Sequence, residues 1–104
     1  MNQIAYEQRK EVYIEAIAKY GEKMQMVVAM EELLECGKEI SKTIRGKGDI
    51  DHLAEEIADV TIMLEQLRLM HGINEKVCQH MDGKVARLAW NMAMDNISLE
   101  EGNE

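Results

Sequence analysis

Apolar residues recur along this chain at spacings of three and four, the period of an α-helix rather than the alternation of a half-buried strand. The first such segment runs from Asn2 or Gln3 to Tyr20. Ile4, Ala5, Val12, Ala16 and Tyr20 share its stripe, with Tyr13 and Ile17 beside it and Asn2 as N-cap. Gly21 ends or bends it. The second segment spans about Glu22 to Ile44, and Val27, Met30, Leu33, Leu34, Ile40 and Ile44 form a stripe expected to be buried. Gly37 on this side leaves room for another helix to approach.

The third segment begins after Gly48 with Asp49 or Asp51 as cap. It carries Leu53, Ile57, Val60, Leu64 and Leu67, and ends with Arg68 and His71 in its last turn and Gly72 as the stop. The fourth follows Ile73 with Asn74 as N-cap, and aligns Val77, Met81, Val85, Leu88 and Met92. Gly83 inside it costs about 1 kcal/mol relative to alanine, so a break or a close contact is expected there. The acidic tail from about Asp95 is expected to fray. The pattern predicts an all-α chain of four helices and short joints, one domain over residues 1–104.

Composition sharpens this picture. The chain has no Pro and no Phe but nine Met, which favours long helices with adaptable packing faces or subunit contacts. A formal net charge of −8 argues against a nucleic-acid backbone or an anionic membrane as the main partner. It still permits a nucleotide, because a cation can stand between carboxylates and phosphates. Cys36 and Cys78 have no zinc-type spacing and read as small buried residues of a reducing compartment. No apolar signal core and no run of membrane-spanning length is present, so a cytoplasmic protein is expected.

The acids carry the candidate chemistry. Glu32 and Glu35 lie three apart on the second helix, with Glu31 alongside, and Glu56 and Asp59 lie three apart on the third. A short "RGKGD" joint forces the two helices to run antiparallel. Numbers then rise on one helix as they fall on the other, and one register, centred on Arg45 and Gly46 and within a residue or two of the joint's centre near Lys47, sets Glu35 level with Glu56 and Glu32 level with Asp59. Four carboxylates can therefore converge between the helices. Alone they raise one another's pKa and oppose folding. A hard cation with oxygen ligands, Mg²⁺ or alternatively Mn²⁺, removes the conflict and keeps positions for phosphates. The competing reading is two solvated helix faces, and spacing alone leaves both open. Within this picture Glu39 and Glu55 read as solvated acids.

The two segments, "EELLE" (Glu31, Glu32, Glu35) and "EIAD" (Glu56 to Asp59), resemble the E-E-x-x-E and E-x-x-D motifs of the all-α nucleoside triphosphate pyrophosphohydrolases, the MazG-like superfamily that includes the dimeric dUTPases. The flanks "YGEKMQMVVAMEELLE" and "HLAEEIADVTIMLEQL" are similar as well, and the likeness covers about residues 20 to 70. It implies a four-helix MazG-like bundle completed by oligomerisation into a homodimer or homotetramer. It also implies Mg²⁺-dependent hydrolysis of a (deoxy)nucleoside triphosphate to the monophosphate and pyrophosphate. By the motif match Glu32, Glu35, Glu56 and Asp59 are metal ligands, and Glu31 is a further acid that orients or deprotonates water or binds another metal. Phosphate-facing bases are sought among Lys38, Lys42, Lys47, Lys84 and Arg87. The resemblance favours Lys84 and Arg87 on the last helix. Gln25 matches a glutamine found ahead of the acids in such proteins and is a candidate contact for the base.

The remaining features read blandly. "GKG" at 46–48 lacks the length and the following Ser or Thr of a phosphate loop and is a helix-to-helix turn. His52, four residues before Glu56, reads as a helix-start histidine without a ligand role, and Trp90 as a core or interface residue. A di-metal oxygen-chemistry bundle needs Glu-x-x-His pairs, of which Asp49-x-x-His52 is the nearest approach. The alternative to an enzyme is a helical interaction or nucleotide-binding module whose acids are only a wet surface.

Overall fold

The computed structural model describes residues 6–102, with side chains through residue 97. Its order is α1 (Tyr6–Tyr20), α2 (Glu22–Ile44), α3 (Ile50–Met70) and α4 (Asn74–Gly102), with no strand among the described residues. The expected cap at Asn2, with Ile4 and Ala5, lies outside the described residues. The described residues fall into two compact units divided after Gly72: α1–α3 make one, and α4 is described by itself.

Turn chemistry sets these boundaries. α2 closes in a Schellman motif. Gly46 at φ 72° donates to the Thr43 carbonyl at 3.1 Å, and Lys47 donates to the Lys42 carbonyl at 2.9 Å. Asp49 then caps α3 by accepting from the Asp51 amide at 2.9 Å. Between them, Gly48 is pressed onto the end of α2. A β-carbon there would lie 2.8 Å from Thr43 Oγ1 and 3.0 Å from its backbone nitrogen. Thr43 is itself held, because its hydroxyl donates to the Glu39 carbonyl at 2.9 Å. Gly48→Ala is therefore expected to cost about 1–3 kcal/mol, the usual range for overpacking, read as a lower denaturation midpoint in urea.

Within the first unit α2 packs chiefly on α3, and α1 lies against both. α1 joins α2 through Gly21 alone (φ 92°). A polar knot ties it to α3. The Arg9 guanidinium spans both Glu65 oxygens at 3.3 Å, and the Tyr13 hydroxyl donates to Glu65 Oε2. Burial and the neighbouring Glu65 carboxylate push the Tyr13 hydroxyl up to about 12. Burial also pushes the Glu65 carboxyl up, but the Tyr13 hydroxyl and the Arg9 guanidinium outweigh it and leave the group below its ordinary range. An apolar recess between α1 and α3 is lined by Arg9, Val12, Tyr13, Ala16, Ile62 and Gln66.

The face that α2 turns inward is not the apolar stripe. Gln25, Ala29, Cys36 and Glu39 are buried and Glu32 is half-buried. Their spacings of four, three, four and three are those of a helix–helix seam. On α3, Leu53, Glu56, Val60, Met63 and Leu67 recur likewise. Val27, Met30, Leu33, Leu34, Ile40 and Ile44, expected to be buried, are instead exposed; Met30 is 63%, Leu34 69% and Ile44 80% accessible. Small Ala29 and Cys36 are what α3 accepts at close range, and the larger apolar side chains point away. On α3, Ile57 and Leu64 are exposed as well, whereas Leu53, Val60 and Leu67 are half-buried.

Other expectations need correction too. Cys78 is exposed, unlike buried Cys36. Gly37 and Gly83 have open space where a β-carbon would be added, and α4 runs unbroken through Gly83 and on to Gly102. The α4 residues Met81, Val85, Leu88 and Met92, together with Trp90, are exposed. Among the described residues no helix is long and apolar enough to cross a membrane.

Candidate metal centre

The α2–α3 seam positions the acids. Glu32 enters the seam between the small residues Ala29 and Cys36, and Glu56 enters it from α3 between Leu53 and Val60. Asp59, one turn on from Glu56, stands at the exposed edge. Glu32, Glu56 and Asp59 each offer a carboxylate oxygen, and the three oxygens lie within 4.8 Å of one another. Burial, followed by the charges of Asp59, Glu56 and Glu35, pushes the Glu32 carboxyl up. The second oxygen of Glu56, Oε2, is buried and has no hydrogen-bond partner among the described residues. An unsatisfied buried carboxylate oxygen is expensive. The mutual repulsion of the three carboxylates adds to the cost, and a hard divalent cation held among them offsets it. The donor set fits such an ion: all oxygen, contributed by two helices, open on the Asp59 side.

The remaining candidate residues stand elsewhere. Glu35 is outside this oxygen set. Its side chain is 56% exposed and lies 3.8 Å from the Lys38 ammonium, an exposed i,i+3 pair. Glu31 is exposed. Gln25 is buried, and its side-chain amide donates to Gln66 Oε1 at 2.8 Å. Gln66 in turn reaches Met63 Sδ at 3.7 Å. Gln25 thus closes a polar pair inside the seam. Lys84 and Arg87 are exposed on α4, outside the unit that holds the acids.

Two residues that read blandly in sequence are part of the surroundings. Glu39, expected to be solvated, is buried, with a side chain only 7% accessible and the Lys42 ammonium at 3.1 Å. His52 sits between carboxylates, with Nδ1 3.7 Å from Glu39 Oε1 and Nε2 3.3 Å from Glu56 Oε1. The available signal was the seam period: Glu39 continues Gln25, Ala29, Glu32 and Cys36, and His52 precedes Glu56 by one turn.

No protein-family model, curated protein or solved structure matches this chain.

Proposed function

We propose that this chain is a Mg²⁺-dependent nucleoside triphosphate pyrophosphohydrolase that releases pyrophosphate and the nucleoside monophosphate. The observation that carries the reading is the meeting of Glu32, Glu56 and Asp59 between α2 and α3, where Glu56 also has a buried oxygen without a hydrogen-bond partner among the described residues. The order of the acids along the chain, similar to that of the MazG-like enzymes, supplies the reaction class.

In this reading Glu32, Glu56 and Asp59 hold the ion. Glu35 joins them by leaving its exposed pair with Lys38, a contact worth at most about 1 kcal/mol. When bound, Mg²⁺ neutralises phosphate charge and makes water a better nucleophile. Glu31, on the exposed side of α2, is the acid in reach of solvent to orient the water or take its proton. Lys38, beside Glu35, is set to meet phosphate oxygens once Glu35 turns to the ion, and Lys84 and Arg87 are the further candidates for that task. Gln25 belongs to the packing of the seam, and a contact with the base would require it to give up Gln66.

Assembly into a homodimer or homotetramer is part of the same proposal. Met30, Leu34 and Ile44 on α2 remain in water within one chain, and covering each is worth about 1.5–3 kcal/mol. Gel filtration with light scattering measures the subunit number.

The deciding experiment incubates the protein with Mg²⁺ and each common NTP and dNTP and measures pyrophosphate. Release from at least one nucleotide, lost on chelation, is expected. No release from any of them refutes the enzymatic reading and leaves the helical interaction module.

A further inference from the structure

His52 is outside the acid motif, yet its ring stands between a buried acid and one of the three converging carboxylates. Nε2 is 3.3 Å from Glu56 Oε1, and Nδ1 is 3.7 Å from Glu39 Oε1. The Glu56 contact is the shorter, and Glu39 is served by the Lys42 ammonium at 3.1 Å. Of the two carboxylates, Glu56 is therefore the ring's nearer partner, a contact made from one turn before it on α3. The other Glu56 oxygen, Oε2, is the buried atom without a partner. Glu56 thus meets the imidazole on one side and contributes an oxygen to the cluster with Glu32 and Asp59 on the other.

We propose that His52 is a positioning residue for the metal centre: its contact with Glu56 orients the carboxylate that is offered, with Glu32 and Asp59, to a divalent cation. This rests on the metal reading of the acid cluster. A ligating carboxylate held by an outer partner is oriented before the ion arrives, and loss of such a partner typically lowers metal affinity about 10–100-fold. A half-exposed helix-start histidine with no such role would leave affinity untouched.

The test titrates the full-length protein with Mn²⁺ and follows the free-ion signal by electron paramagnetic resonance, without nucleotide. Melting curves in chelator run alongside. Wild type is expected to bind Mn²⁺ and Asp59→Asn to lose it. His52→Ala is expected to bind about 10–100-fold more weakly with an unchanged melting midpoint in chelator. His52→Gln, whose amide can still donate toward Glu56, is expected to recover part of the loss. Wild-type affinity in His52→Ala, with Asp59→Asn defective, overturns the role of His52 and leaves the metal centre standing. Equal absence of binding in wild type and Asp59→Asn overturns the metal centre and the role of His52 with it. Should His52→Ala melt early in chelator, the comparison passes to His52→Gln and Lys42→Met. Weakened binding in the first with normal binding in the second supports the proposal, and the reverse overturns it.

Discussion

Asp59→Asn is expected to lose pyrophosphate release by on the order of a thousandfold, while its melting midpoint in chelator stays at or above that of wild type. The two halves of this expectation come from the position of Asp59. It is the exposed member of the oxygen cluster, so an isosteric amide there disturbs little packing. Its charge, however, is one of those that repel Glu32. Removing it eases the metal-free protein and weakens the hold on a cation. Metal stabilisation of a phosphoryl-transfer transition state is worth several kcal/mol, and each ~1.4 kcal/mol is a factor of ten in rate. Initial rates at saturating nucleotide over a range of Mg²⁺ measure the loss. A variant within tenfold of wild type would mean that Asp59 is not a ligand.

Glu32→Gln is the second large effect, and its sign depends on the ion. Burial, with Asp59, Glu56 and Glu35 around it, raises the folded-state pKa of Glu32. For such an acid the favourable contribution is present below the unfolded-state value and is lost as pH rises through the folded-state value. At neutral pH the metal-free protein therefore carries the full penalty of that charge. Glu32→Gln is expected to melt higher than wild type in chelator at pH 7, with the advantage shrinking as pH falls into the carboxylate range. In Mg²⁺ the order reverses, because wild type gains from binding and the variant does not. Calorimetry resolves this readily, since about 1 kcal/mol moves the midpoint of a domain this size by about 4–8 °C. A variant less stable than wild type in chelator would show that the Glu32 charge is satisfied within the fold.

Much of this architecture is legible in the sequence, for reasons that act locally. Gly46, Asp49 and Gly72 mark helix ends because positive φ and side-chain capping are properties of single residues. The antiparallel hairpin follows from the short joint, and the levelling of Glu32 with Asp59 follows from the hairpin. What hydrophobicity could not give is the side of α2 that meets α3. The larger apolar residues, Met30 and Leu34 among them, point outward, and the seam is made of Gln25, Ala29, Glu32, Cys36 and Glu39. That choice is made by fit. Small residues permit close approach, and two of the three polar ones are answered from elsewhere: Gln25 by Gln66, Glu39 by Lys42. Those answers come from across the hairpin or from the next turn. Apolar periodicity is blind to them, and so it also missed the burial of Glu39 and the place of His52.

The attachment of α1 has a consequence for how the unit opens. α1 meets the hairpin through a one-residue joint and a knot in which two of its side chains share one carboxylate. The depressed pKa of Glu65 means that its contribution holds above the ordinary carboxylate range and fades as pH falls through the folded-state value. Tyr13 sets the opposite limit: its contribution holds below about 10 and fades as pH rises through about 12. Protonating the single Glu65 carboxylate therefore weakens the tie at both Arg9 and Tyr13, while the α2–α3 seam keeps its glutamine pair. Hydrogen exchange should report α1 as a separate, weaker cooperative unit. Its amides are expected to exchange ahead of those of the hairpin, with the gap widening as acid is added. Uniform protection across all three helices at every pH would show that α1 is held by the breadth of its packing and not by the knot.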